Sequence, residues 1–340
     1  MSPMSRLALL FTLTTTLMTA QVKVEKIAWK GWPNCYRVTN GEVELIVTSD
    51  VGPRVMHYSL AGGRNVLKEF DGQLGKSGEK EYQLRGGHRL WVAPEALETS
   101  WALDNGRVKI ETRPDGLTAV QPVDSAGFEK SIKITMAASG SGVTLEHKAV
   151  YHGVKPLEMA PWTLTMMTPG GRAITGFPPR GTHPKDLLPT NPLVLWAYTN
   201  LADARWKFYE KYLTLRQDPA VAAPQKLGTF NADSWGAYAL DGLLFTKRTE
   251  AFPNRRYPDF GCSFETFTNA EFLEMEFLGP LRRLAKGQSA ALTEHWTLRR
   301  GADFGSWTET DLDRVLGPAL SERPPASKGA RMAKKAPARR

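Results

Sequence analysis

The sequence predicts an all-β protein, a large antiparallel architecture with few short helices. Three observations carry that expectation. Short segments alternate apolar and polar residues with the period of two that a strand requires. Turn dipeptides separate those segments at short spacing. No alternating rhythm of strand and helix is present, which argues against a doubly wound parallel sheet.

Taken in chain order, residues 42–48 put Val43, Leu45 and Val47 on one strand face after an Asn40-Gly41 turn. Residues 107–112 alternate between the turns Asn105-Gly106 and Asp115-Gly116. Residues 130–136 and 142–151 follow; the latter gathers Val143, Leu145, His147, Ala149 and Tyr151 on one face. Residues 238–245 are apolar but broken by Asp241-Gly242, and residues 272–277 and 289–298 complete the series. The best helical patterns are residues 202–211 and 309–316. Neither an internal repeat nor a Pro/Ser-rich linker interrupts residues 21–318, so one domain is expected there, followed by a basic disordered tail over 319–340.

The formal net charge of +9 is concentrated at the ends. Residues 321–340 hold seven Lys or Arg against the single acid Glu322, and Arg6 is the only charge in residues 1–20. Residues 21–320 keep only +2, so a basic footprint for nucleic acid is missing from the body. Arg6, the apolar run Leu7 to Leu17 and the small residue Ala20 before Gln21 fit a secretory signal peptide over residues 1–20. Export to a periplasmic or extracellular location is therefore expected, with no stable membrane span once the signal is removed. Cys35 and Cys262 are the only cysteines; they pair or stay as two buried thiols, and spacing does not decide between these. No CxxC or His/Cys cluster suggests a metal, and no cofactor is expected.

Phosphate loops, dinucleotide fingerprints, Gly-x-Ser-x-Gly and His-Glu-x-x-His are all absent. Instead, aromatic and polar residues crowd a few short segments. Residues 82–95 combine Arg85, His88, Arg89 and Glu95 with the stacking face of Trp91 and the paired glycines Gly86 and Gly87. Glycines let backbone approach a ligand closely, although the same segment also reads as a tight turn with solvated arginines. Trp162, Trp196 and Tyr198 lie in two further segments, and such rings either line a sugar or build a core. Along residues 272–277, Glu274 and Glu276 share one strand face while Leu273, Met275 and Phe277 share the other. Two carboxylates this close raise one another's pKa, which suits a general acid or base, and the same pattern also describes a solvated strand face.

The order of Arg85-Gly86-Gly87-His88-Arg89-Leu90-Trp91, Ala160-Pro161-Trp162, Leu195-Trp196-Ala197-Tyr198, Tyr257-Pro258-Asp259 and Leu273-Glu274-Met275-Glu276-Phe277-Leu278-Gly279-Pro280 resembles an uncharacterised bacterial family. That family is placed in the galactose mutarotase-like (aldose 1-epimerase-like) superfamily, and the resemblance runs over residues 29–300. It implies one antiparallel β-supersandwich with a sugar cleft on a concave sheet. By the same resemblance, Arg85, Gly86 and Gly87 border the sugar, and a late-strand glutamate takes the proton from the anomeric hydroxyl. Glu274 and Glu276 both match that glutamate loosely, with Glu276 slightly favoured. The general-acid histidine of the superfamily corresponds best to Ala160, so His88 is the first substitute, ahead of His147 and His152.

The resulting expectation is an exported sugar- or oligosaccharide-binding protein, with Glu276 or Glu274 as base, His88 as acid, and Arg85, Gly86, Gly87, Arg89, Trp91, Trp162, Trp196 and Tyr198 around the substrate. Two alternatives stand beside aldose epimerisation: a sugar binder without turnover, and an accessory to polysaccharide lyase or glycosidase chemistry.

Overall fold

The computed structural model describes residues 21–321. The expected signal peptide at 1–20 and residues 322–340 of the expected tail lie outside the described residues. All strand pairings are antiparallel and they form two sheets. From edge to edge, the first sheet runs Lys23–Trp29, Trp32–Thr39, Val43–Thr48, Arg54–Leu60, His88–Ala93, Leu157–Met167, Leu273–Leu278, Phe264–Thr268, Gln225–Thr229, Leu193–Leu195. An eleventh strand, Arg282–Leu284, pairs with the near end of Leu157–Met167. The ten-stranded second sheet runs Trp206–Phe208, Tyr212–Arg216, Arg172–Gly176, Trp235–Leu240, Leu243–Arg248, Ser289–Arg300, Val143–Tyr151, Phe128–Met136, Gly116–Val120, Lys109–Arg113.

The alternation in the sequence translates directly into burial. Phe128–Met136 and Val143–Tyr151 bury every second residue, which is the signature of a strand with one face on the core and one toward water. The core between the sheets takes Val47, Val55, Tyr58, Ile132, Ile134 and Leu145, together with the rings of Phe245, Phe264, Phe277 and Trp296. His88–Ala93 and Leu273–Leu278 behave differently. Every residue in both is buried, because one face meets the core and the other is also covered. That second covered face is the floor of the candidate site.

Local chemistry explains the joints. Asp241-Gly242 closes a two-residue hairpin between Trp235–Leu240 and Leu243–Arg248, both turn residues taking positive φ (48° and 75°) as a type I′ turn requires. The helix Glu309–Ser321 starts with reciprocal hydrogen bonds between Thr308 and Asp311, of 3.1 and 3.2 Å, in the manner of a capping box. Its Leu312, Leu316 and Ala319 cover Ile174, Trp235, Ala237 and Leu244 on the outside of the second sheet. Ala319 is thus buried against the second sheet, and residues 319–321, expected in the tail, belong to this helix.

The helix expected at 202–211 does not form. Asp203 Oδ1 accepts from Arg205 N (2.9 Å) in a local turn, and the buried Arg205 guanidinium bonds both Asp203 and Ala223 O. Such local bonds offer the backbone an alternative to helix, and the segment continues as the strand Trp206–Phe208. Cys35 and Cys262 are both free and buried. Among the described residues no helix is long and apolar enough to cross a membrane.

Candidate functional site

The outward face of the first sheet carries a pocket of about 300 Å³. Strand register determines what lines its floor. Trp91 pairs with Trp162 and Arg89 with Leu164. Leu164 then pairs with Glu276, and Met166 with Glu274. One strand further on, Glu276 faces Glu265 and Glu274 faces Phe267, and Phe267 in turn faces Lys226. Residues of one row share a face, so four of five adjacent strands deliver three glutamates, an arginine and a lysine to one surface.

The charges interlock. Lys226 Nζ lies 2.8 Å from Glu265 Oε2 and 3.0 Å from Glu276 Oε2, while Trp162 Nε1 donates to the same Glu276 oxygen at 2.8 Å. The ammonium also sits over the Trp162 and Trp196 rings, at 4.9 and 4.7 Å. Arg89 stacks on Trp91 at 4.7 Å and reaches Glu274 Oε1 at 3.3 Å. Burial opposes the charge on Lys226, yet Glu265 and Glu276 outweigh it and hold the ammonium well above the usual lysine range. Burial, with the charges of Glu276 and Asp259, pushes Glu265 well up against the pull of Lys226. Burial, reinforced by Glu276 and opposed by Arg89, brings Glu274 up to about 7.

One wall is aromatic. Trp91 meets Trp162 at 5.4 Å and Trp101 at 5.0 Å, and Tyr82 wedges behind them at 5.5 and 5.3 Å. The Tyr82 hydroxyl accepts from Trp91 Nε1 (3.0 Å) and from the buried Arg54 guanidinium (2.9 Å), which Asp104 fixes at 2.7 Å. The rings are therefore anchored from behind, and Arg89 and Lys226 lie over the Trp91 and Trp162 rings on the pocket side. Glu95, Tyr198, Asn269, Glu271 and Phe272 enter from loops at the rim.

Several buried polar atoms here have no hydrogen-bond partner: Arg89 Nε and Nη1, both Glu265 oxygens, Glu274 Oε1 and Glu276 Oε1. They make up six of the ten such atoms among the described residues; Arg89 Nη1 and Glu274 Oε1 are in an ion pair with each other at 3.3 Å and Glu265 Oε2 with Lys226 at 2.8 Å, which leaves Arg89 Nε, Glu265 Oε1 and Glu276 Oε1 in neither a hydrogen bond nor an ion pair. Buried polar groups are ordinarily satisfied, so their concentration in one pocket makes it the candidate site. Among the described residues no three His, Cys, Asp or Glu side chains are grouped as metal ligands.

The structure sorts the sequence-derived site residues into two sets. Arg89, Trp91, Trp162, Tyr198, Glu274 and Glu276 line the pocket, and Trp196 stands behind Lys226. His88 does not join them. Side chains alternate along a strand, so Arg89 and Trp91 face the pocket while His88 faces the core, where it packs on Trp296 at 4.8 Å and bonds Thr165 and His147. An acid there has no access to the pocket. Arg85 is fully buried elsewhere, tying Gln73 O, Lys76 O and Asn105 at 3.0–3.1 Å and Glu79 at 2.5 Å, which pins the preceding loop. Gly86 and Gly87 serve backbone packing: a Cβ would stand 2.0 Å from Lys68 O at Gly86 and 2.3 Å from Val55 O at Gly87. Both also take positive φ, 89° and 71°. Glu265, Lys226 and Trp101 were not anticipated. Glu265 had a sequence signal, since the strand Phe264–Thr268 turns back tightly into Leu273–Leu278 and sets it opposite Glu276.

No family model and no curated protein matches this chain at the sequence level. Solved structures do match. A galactose mutarotase-like protein from Lactobacillus casei aligns with a TM-score of 0.51 over 78% of this chain and 100% of its own, at 9% identity. A candidate aldose 1-epimerase from Klebsiella pneumoniae aligns with a TM-score of 0.52 over 87% of this chain and 86% of its own, also at 9% identity. The fold is that of the galactose mutarotase-like proteins. At such identities the likeness concerns the fold alone, and a fold does not fix the chemistry.

Proposed function

We propose that the pocket on the mutarotase-like sheet binds a sugar and exchanges protons with it, as an aldose 1-epimerase-like isomerase. The observation that carries this reading is the pair of buried carboxyls on one strand face beside an aromatic wall, Glu276 with Oε1 unpartnered and Glu274 held only by Arg89 at 3.3 Å. A half-buried ring such as that of Trp101 suits the C–H face of a pyranose, and carboxylates accept hydrogen bonds from its hydroxyls.

Anomer exchange needs a base for the anomeric hydroxyl proton and an acid for the ring oxygen. Glu276, whose Oε2 accepts from the Lys226 ammonium and the Trp162 N–H, is the base in this reading. Glu274 replaces His88 as the acid, since burial raises its pKa to about 7 and keeps a proton available near neutrality. The base takes the hydroxyl proton, the C1–O5 bond breaks, and O5 takes the proton of Glu274. Rotation about C1–C2 and the reverse transfers close the other anomer, and both carboxyls recover their starting states.

Polarimetry of freshly dissolved aldoses tests this. Glu276→Gln keeps the shape but not the basicity, so sugar affinity is retained while mutarotation falls by about a hundredfold or more, the scale of a lost acid–base group. The absence of a histidine from the pocket supports a second reading, a binder without turnover. Sugar binding by the wild type with no accelerated mutarotation of any aldose selects that second reading. Export belongs to the same proposal, supported by Arg6 and the apolar run ending at Ala20. Protein from the native cell then begins at or near Gln21 by mass spectrometry, and an intact Met1 overturns it.

A further inference from the structure

We infer that a second cleft, on the outward face of the second sheet, binds an oxyanion, the phosphate or carboxylate group of a small ligand, between Arg172 and Arg216. The cleft holds about 270 Å³ and lies on the opposite side of the molecule from the sugar pocket. Arg172 shares its strand face with Ile174, which the helix Glu309–Ser321 covers. The cleft therefore opens where residues 302–307 lead into that helix. Register sets the two arginines against each other. Arg172 is the antiparallel partner of Arg216 on the adjacent strand, and both line the cleft. Residues so placed have Cβ atoms about 4.5–5.5 Å apart, and like charges there destabilise a sheet.

Arg216 has a counter-charge, Asp218 at 2.9 Å. Arg172 is half-buried and pairs with no carboxylate among the described residues. Burial, and after it the charge of Arg216, pushes its guanidinium below the usual arginine range, with Tyr209 opposing. Two acids also line the cleft, Asp241, paired with Arg64, and the exposed Asp303, which accepts from Gly305 N at 2.8 Å; neither forms an ion pair with Arg172. What holds Arg172 is neutral. Its guanidinium lies over the Trp307 ring at 4.2 Å, and Trp307 stacks on the buried Phe304 at 4.5 Å and 14°. Trp307 takes a φ of 57°, a left-handed conformation that is an outlier for a bulky residue. Its carbonyl is fixed by Lys207 Nζ at 2.9 Å and the Tyr209 hydroxyl at 2.7 Å. A facing like-charge pair and a strained turn both oppose folding, and strain of this kind gathers at functional sites. An oxyanion between the two guanidiniums removes the repulsion, taking two parallel N–H donors from the planar fork of Arg172 and a further one from Arg216.

Thermal melts of the full chain near neutral pH in low salt test the inference, with inorganic phosphate and malonate as probes and sodium chloride of matched ionic strength as the control. At about 10 mM, phosphate or malonate raises the melting temperature beyond the chloride control, because an ion that binds only the folded chain stabilises it by mass action. Which of the two acts distinguishes a phosphate ligand from a carboxylate one. Calorimetric titration of the active ion into Arg172→Gln gives an affinity lower by about tenfold or more, the scale of a lost charge-assisted hydrogen bond. Arg172→Lys, which keeps a cation over Trp307 but loses the fork, falls between the two. Arg216→Gln, which leaves the Trp307 contact intact, weakens binding as well. Shifts no larger than that of chloride, or equal affinity in the wild type and both Arg172 variants, overturn the inference. The sugar pocket lies on the other sheet, so glucose or galactose binding is unchanged in these variants and stands or falls separately.

Discussion

Two charged clusters lie on opposite sides of the first sheet, one on its outward face and one between it and the second sheet, and they are built on opposite terms. On the pocket side lie Arg89, Lys226, Glu265, Glu274 and Glu276. Between the sheets lie Lys247, Glu294, His88 and His147, all buried, with Lys247 Nζ 2.9 Å from Glu294 Oε1. The interior cluster resolves into a chain whose direction can be deduced. His147 Nδ1 must donate to Leu292 O (3.1 Å), because a carbonyl only accepts. A neutral His147 then offers Nε2 as acceptor, so His88 Nε2–H donates to it at 2.7 Å. His88 Nδ1 accepts from Thr165 Oγ1 (2.9 Å), which accepts from Lys247 Nζ (2.8 Å). Glu294 takes Trp296 Nε1 at 2.6 Å and the Thr163 hydroxyl. None of these side chains is left with an unpartnered buried atom, whereas the pocket cluster has six. Burial and charge are common to both clusters, and what separates a candidate site from a structural network here is unmet hydrogen bonding.

That contrast can be broken at three places. The largest effect is expected at Glu294→Gln, which leaves Lys247 as an uncompensated buried charge and costs about 3–5 kcal/mol in urea unfolding. A loss under about 1 kcal/mol would place the interior cluster on the same footing as the pocket. Acid comes next. Burial lowers His147 to about 4, so the unfolded chain takes up its proton first as pH falls. The associated stability is complete above about 6.5, declines below it and is gone near 4, amounting to roughly 3 kcal/mol. His147→Gln therefore flattens the slope of stability against pH in that window, and an unchanged slope excludes this histidine as its source.

The pocket has the reverse sign and the smallest effect. Glu274 is raised to about 7, so its contribution is present below its ordinary carboxylate pKa and is lost as pH rises through 7. Glu274→Gln removes that loss and stabilises the protein by about 1–3 kcal/mol at pH 8, with little change at pH 4.5. Thermal melts at the two pH values check this, and destabilisation at pH 8 would mean that Glu274 is as satisfied as Glu294.

Much of this was legible in the residues, and parity marks both the success and the failure. Alternation placed the outer strands, and it put Glu274 and Glu276 on one face, where they are found. The same rule applied to residues 88–91 separates His88 and Leu90 from Arg89 and Trp91, so the pattern itself argued against grouping His88 with the pocket. Gly86 and Gly87 were informative about close approach, but the approaching group is a neighbouring backbone. Lys226 gave no local sign, since its partner Glu276 lies 50 residues away and only sheet order joins them. The segment 202–211 was misread because Asp203 satisfies backbone and guanidinium donors locally, a choice that apolar spacing does not register.

The strand His88–Ala93 carries a consequence for how the pocket meets a ligand. His88 and Arg89 are adjacent, as are Thr163, Leu164 and Thr165, and Glu274, Met275 and Glu276. Sliding or twisting any of these strands to suit a ligand would pull apart the His88–Thr165 bond or the Lys247 contact to Met275 O, 3.3 Å long, on the far side. The floor is thus clamped from beneath and holds its carboxyls preorganised before anything binds. Accommodation is left to the loops bearing Trp101, Tyr198 and Glu271, so the rim does the sorting and the floor keeps one shape for every visitor.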